Sequence, residues 1–191
     1  MYADNTLTPK EATRLCALGI LAGGNASYAE LASNVRYFIT HVMGPSLDVL
    51  GMSIELLKHE GLVKPVSGTA SEPMSESDGD DLLEITEEGH KELQILLKAN
   101  IKAAENDLNK LVVALKFRFL DCLIAEDQCE QMYMLGATIE NELARLEELR
   151  GHHADDADHL IDWLDREIEE LVSRHDWIVQ KRIALQAANK A

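Results

Sequence analysis

Apolar residues along this chain recur at helical spacing almost throughout, and the breaks in that spacing mark the joints between elements. Thr8-Pro9-Lys10-Glu11 is a capping box in which Thr8 caps, Pro9 presets the first turn and Glu11 reaches back, so a first helix runs to about Leu21. Gly23-Gly24-Asn25 ends it, and Ser27-Tyr28-Ala29-Glu30 is a second capping box that opens a helix through Leu31 and Val35. Tyr37 to Pro45, aromatic and β-branched at first and closed by Gly44-Pro45, reads as a connection ending in a turn. From Ser46 to Gly61 the positions Leu47, Leu50, Ile54 and Leu57 place one apolar stripe along a third helix, with Gly61 where a C-terminal cap belongs.

The pattern then changes period. Leu62 to Val66 and Leu82 to Thr86 are short β-rich runs bounded by turn residues and are expected to pair as a hairpin. Their connection, Ser67 to Asp81, holds five acids, four Ser, three Gly or Pro and no Lys or Arg, the composition of a mobile, solvated loop. Thr86-Glu87-Glu88-Gly89 opens another helix with Leu93, Leu96 and Leu97 on its inner side. From Ile101 onward the chain reads as long amphipathic helices. Leu108, Leu111, Val112, Leu115, Phe119 and Leu123 form one face, and Met132, Leu135, Ile139, Leu143, Leu146 and Leu149 form another. After a break at Gly151 to Asp156, the series Leu160, Leu164, Ile168, Leu171, His175, Ile178, Arg182, Leu185 alternates fours and threes. That is heptad spacing, suited to helix pairing and to a partner chain.

Composition narrows the function more than the fold. The 191 residues carry a formal charge of −16, with seven Lys or Arg against fifteen Asp or Glu in residues 1–98 and eleven against nineteen in 99–191. Neither half is basic, so no broad surface is built to attract phosphates. No apolar run approaches the ~18 residues of a membrane span, and the N-terminus lacks the basic end and apolar centre of a signal peptide, so a cytoplasmic protein with no membrane partner is expected. Three cysteines, Cys16, Cys122 and Cys129, form no CxxC pair. Cys122 and Cys129 are read as facing the same way on one helix, as buried reduced thiols. No phosphate loop, nucleophile elbow or HExxH motif is present, so neither an enzyme nor a cofactor is expected.

Three helices, a two-stranded hairpin and a tail of long helices is the plan of a winged helix-turn-helix regulator. The fold class expected is mainly α with a small β-hairpin: a winged-helix domain over residues 1–98, with an acidic wing loop at 67–81, and a long α-helical dimerisation arm over 99–191. The chain resembles the PadR-like family. Leu18-Gly19-Ile20-Leu21, Tyr28-Ala29-Glu30-Leu31-Ala32, Ile54-Glu55-Leu56-Leu57-Lys58-His59-Glu60-Gly61-Leu62-Val63 and Leu83-Glu84-Ile85-Thr86-Glu87-Glu88-Gly89 carry the resemblance. Trp163-Leu164-Asp165-Arg166-Glu167-Ile168-Glu169-Glu170-Leu171 is similar to the dimerisation segment of its virulence-activator-type members. The "E-G-L-V" and "T-E-E-G" pieces recur in several winged-helix families. The resemblance implies a homodimeric transcription regulator whose third helix enters the major groove.

Set against that family, the third helix has Gly51 where a tyrosine is usual and Glu55 and Leu56 where basic residues are common. Arg36, Ser46, Lys58 and Lys64 remain as candidate DNA contacts. Leu164, Ile168, Leu171, His175 and Ile178 are the candidate dimerisation seam. Trp163 and Trp177, fourteen residues apart, fall near one helical face. Packing is their plainer role, and an apolar effector pocket the alternative. His152, His153, Asp155, Asp156, Asp158 and His159 are metal-ligand types, but no second cluster completes a site, and an aspartate capping the next helix accounts for them, so no metal is expected. The reading adopted is a homodimer that binds operator DNA weakly or conditionally. The alternative is a winged-helix dimer that no longer binds DNA and offers an acidic surface to a basic protein partner.

Overall fold

The computed structural model describes residues 6–44, 54–66, 82–101, 106–153 and 159–189. The described residues fall into two compact units, one of residues 1–100 and 105–123, the other of 101–104 and 124–191.

In the first unit both capping boxes form as expected. Helix α1 (Pro9–Ala22) begins at Thr8, whose hydroxyl accepts from the Glu11 amide while the Glu11 carboxylate accepts from the Thr8 amide and hydroxyl at 2.7 Å. These bonds, the backbone one first, hold the Glu11 carboxyl below its ordinary range. A two-residue strand β1 (Ala26–Ser27) precedes α2 (Tyr28–Met43), capped by the Ser27–Glu30 box. The expected break after Val35 does not occur: α2 continues through Tyr37 to Met43. Leu31, Val35, Ile39 and Met43 step by four and are all buried, so packing on one face overrides the β-branched and aromatic composition. Gly44, at φ 80°, then ends the helix.

Helix α3 is described over Ile54–His59, and its earlier expected part lies outside the described residues. Strands β2 (Val63–Pro65) and β3 (Leu82–Ile85) pair antiparallel with Lys64 opposite Glu84, and β1 joins on the other edge of β3, giving the order β1-β3-β2. The β1 strand was not foreseen; two residues carry no readable alternation. The acidic connection at 67–81 lies outside the described residues. Helix α4 (Glu87–Leu97) follows from the Thr86 cap.

Helix α5 (Asp107–Arg118) falls in the first unit. Its buried stripe Leu111, Val112 and Leu115 packs on α1 and α2, and buried Phe119 and Leu123 flank a 3-10 turn at Leu120–Cys122. The helix therefore packs as part of the first unit. The turn also separates Cys122 from Cys129, which do not share a helix. Cys16 is fully buried, and loss of solvent pushes its thiol up to about 12; Cys122 and Cys129 are half-buried.

Lys116 is the exception in this core. It is 1% exposed, its Nζ donates to the Leu97 carbonyl at the end of α4, and burial drives its ammonium down to about 8.

The second unit is a helical hairpin of α6 (Ala125–His152) and α7 (His159–Ala188). Contacts at three levels show the two run antiparallel: Arg150 pairs with Asp165, His175 Nε2 lies 2.9 Å from Glu140 Oε1, and the Asn189 amide donates to the Ala125 carbonyl at 3.2 Å. Leu146, Leu164 and Leu171 form its dry centre, flanked by Ile139, Leu143, Leu160, Ile161 and Ile168. Among the described residues no helix is long and apolar enough to cross a membrane.

Two outcomes test this packing. Below pH about 8 the folded and unfolded chains both hold the Lys116 proton, and the burial penalty is present in full. Between there and the ordinary value of 10.5 the unfolded chain binds more protons, so stability rises with pH. In urea melts Lys116→Met is expected to remove that rise, its advantage over the parent shrinking by roughly 3 kcal/mol between pH 8 and 10.5. Separately, Gly89→Ala is expected to cost about 1–3 kcal/mol by the same melts, because a Cβ there meets the Leu62 carbonyl oxygen and stands 2.7 Å from Ile85 Cγ1. Gly151→Ala, with nothing within 4 Å of its Cβ, is the neutral or stabilising control.

Candidate nucleic-acid interface

The end of α3 is fixed by three sets of contacts that meet at Gly61 and Leu62. Gly61, at φ 73°, takes the left-handed turn that a side chain resists. Its amide donates to the Lys58 carbonyl at 3.0 Å and the Leu62 amide to the Leu57 carbonyl at 2.9 Å. That is a Schellman motif, and buried Leu57 and Leu62 supply its apolar contact. From the far side of the hairpin Thr86 closes the joint: its amide donates to the Leu62 carbonyl, and its hydroxyl donates toward the Gly61 and Leu62 carbonyls at 2.8 and 3.0 Å while accepting from the Gly89 amide at 3.0 Å. Thr86 is thus at once the cap of α4 and the clamp on the end of α3.

Arg14 supplies the third set. From α1 it reaches Glu60 just after α3 at 2.7 Å and Glu92 on α4 at 3.1 Å. The charge of Glu60, at the surface end of α3, is therefore matched by Arg14. Nothing in the sequence flagged Arg14 for this role, because its two partners lie 46 and 78 residues away.

The candidate DNA contacts are not equivalent. Arg36 is exposed on α2, and Lys58 is half-buried on α3; among the described residues neither makes an ion pair. Lys64, on β2, lies 3.1 Å from Glu84 of the facing strand, so its charge is already matched. Ser46 lies outside the described residues, as do Asp48 and Gly51. Glu55 and His59 are exposed on α3.

In the second unit the heptad seam expected to meet another chain meets α6 of its own. Leu164 and Leu171 lie in the hairpin centre with Leu146, and Ile178 is buried near Gly136 of α6. His175 is bonded to Glu140. Trp163 and Trp177 do not line a closed space; they are 51% and 46% exposed. The His152 and His153 rings stack edge to face at 5.1 Å at the end of α6, and His159 opens α7, while Asp155, Asp156 and Asp158 lie outside the described residues. Among the described residues no group of three or more His, Cys, Asp or Glu could hold a metal.

A helix whose end is held rigid beside a three-stranded sheet, with few cations around it, agrees with what known families offer. The family model described as "Putative AphA-like transcriptional regulator" matches residues 2–181. The chain belongs to the AphA-like family. The match runs through the winged-helix body and most of the α6–α7 hairpin, so both units fall within the family's span. The family is one of transcription regulators. No protein of curated function matches the sequence significantly.

If the Arg14 bridge holds α3, its loss should loosen that helix before the rest of the body. Arg14→Met is expected to cost about 1–3 kcal/mol in chemical denaturation, because two carboxylates lose a charged partner. By hydrogen exchange, the amides of Glu60, Gly61 and Leu62 should lose protection first, with α2 unchanged.

Proposed function

We propose that the protein is a cytoplasmic, homodimeric, PadR-type transcription regulator that binds operator DNA weakly or under a condition that offsets its charge. The single observation that carries this reading is the rigid seating of α3 by Gly61, Thr86 and Arg14, with Arg36 on α2 and Lys58 on α3 making no ion pair among the described residues. A scaffold this closely fixed suits a helix that must meet a partner in one orientation. Weak binding follows from arithmetic: two unmatched cations neutralise few phosphates, and phosphate neutralisation supplies most non-specific affinity. Of the earlier contact set, Lys64 contributes least while Glu84 holds it.

The dimer reading rests on the outside of α7. With Leu164, Leu171 and Ile178 spent within the chain, Trp163 and Trp177 lie to one side of that buried stripe, and Val172 and Ile183 also stay exposed. Covering large apolar side chains of this kind is the usual drive for association. A flat apolar effector between the tryptophans belongs to the same reading and depends on a second chain to close the space. The competing reading is an acidic interaction module without DNA contact, favoured by the net charge of −16 and the matched Lys64.

DNA-cellulose retention at ~50 mM salt, where electrostatic affinity is greatest, separates the two, and no retention there removes the regulator in its simple form. Glu84→Gln, which releases Lys64, is expected to raise affinity for duplex DNA up to roughly ten-fold at that salt and to steepen the salt dependence by about one contact. An unchanged slope counts for the interaction module. Light scattering is expected to give twice the chain mass at micromolar concentration, falling toward the monomer in Trp177→Lys.

A further inference from the structure

Helix α2 turns one face inward and the other to solvent, and the composition of its outer face is unlike that of the chain as a whole. Leu31, Val35, Ile39 and Met43 are buried, while Ser33, Asn34, Arg36, Tyr37, Thr40 and His41 are exposed. In a chain with 34 Asp and Glu, none falls between Leu31 and Leu47. The acid before that stretch, Glu30, is taken up by the capping box, where the Ser27 amide and hydroxyl donate to it at 3.0 Å. Beyond its first turn, α2 therefore sets no carboxylate of its own against a phosphate.

The same face carries uncommitted donors. A hydroxyl within a helix can bond back to the carbonyl four residues earlier, as Thr13 does to Pro9 at 3.0 Å and Thr138 to Met134 at 2.9 Å. Among the described residues the Ser33 and Thr40 hydroxyls, the Asn34 amide and the Tyr37 hydroxyl make neither that bond nor another. Tyr37, 65% exposed, is steadied by its neighbour, since the His41 ring lies on it with centroids 4.0 Å apart. His41 Nδ1 is 2.7 Å from the Tyr37 carbonyl, which can only accept, so Nδ1 carries a proton and the imidazole is anchored to the backbone. The stack restrains the Tyr37 ring before any partner arrives. From Ser33 to Thr40 these donors span about 10 Å of helix.

We propose that the outer face of α2 seats the phosphate backbone of duplex DNA chiefly through neutral donors, with Arg36 supplying the charge. Hydroxyl and amide side chains are ordinary partners of phosphate oxygens, alongside Lys and Arg. The inference rests on the regulator reading and adds to it a second way of holding DNA. A chain with few cations on these helices gains little from counterion release, and bonds from neutral donors do not draw on it. Binding held in this way varies little with salt.

The test is the anisotropy of a fluorescein-labelled random duplex titrated with the full chain from ~50 mM salt upward, where the slope of log affinity against log salt counts the cations engaged. Tyr37→Phe, which keeps the ring stack and removes only the hydroxyl, and Thr40→Val are each expected to weaken binding roughly five-fold, the worth of a neutral hydrogen bond, with the slope unchanged. Arg36→Gln is expected to weaken binding and to lower the slope by about one contact. Tyr133→Phe, on a similarly exposed tyrosine of α6, is the control and should bind as the parent does. Parent-like affinity in both Tyr37→Phe and Thr40→Val overturns the proposal and leaves the regulator reading standing. An equal loss in Tyr133→Phe overturns it as well. No binding by the parent at ~50 mM salt overturns both readings together.

Discussion

The first unit depends on the close approach of α4 to the end of α3. Gly89 has no side chain, and the Leu62 carbonyl takes the space a Cβ would occupy. That approach lets Thr86 bond to both Gly61 and Leu62 while still capping its own helix. A hydroxyl that donates to a carbonyl and accepts from an amide satisfies helix ends that would otherwise be left bare in a crowded joint. The direction of α3 is consequently set by the backbone on both sides of the hairpin, whatever the acidic connection between β2 and β3 does.

The same joint changes how the charge of the chain is understood. A formal −16 suggests a surface hostile to nucleic acid, but several of its acids have internal uses. Glu11 and Glu30 close capping boxes, Glu60 and Glu92 hold Arg14, Glu84 holds Lys64 and Asp165 holds Arg150. The more exposed of these pairs, Lys64–Glu84 and Arg150–Asp165, add little stability, but all of them decide which charges remain for a partner. Among the described residues of the first unit, Arg36, Lys58 and Arg118 make no ion pair. Net charge was a guide to long-range repulsion and a poor guide to the local surface.

In the hairpin the accounting concerns apolar surface. Two long helices with one seam each cover much of each other when they fold back. What stays outside is the set of large side chains off the seam, Trp163, Trp177, Val172 and Ile183 on α7. Helices adjacent in sequence are usually adjacent in space, and here α6 covers the seam of α7.

Local signals in the sequence settled the starts and stops. Both Thr8 and Ser27 boxes, the Gly61 cap, the Thr86 cap and the antiparallel pairing of the two short strands all rest on interactions within a few residues or on period-two alternation, and all were legible. The end of α2 was not, because Tyr37 to Met43 is poor helix composition held in place by the burial of Ile39 and Met43. The packing of α5 in the first unit, the role of Arg14 and the burial of Lys116 were equally hidden, since each depends on residues tens of positions away. Of the candidate site, the sequence determined which cations exist and how few they are. Only the tertiary structure decided which of them are matched, because ion pairing and packing are set by distance in space, and the spacing of residues along a chain does not encode that beyond a turn or two of helix.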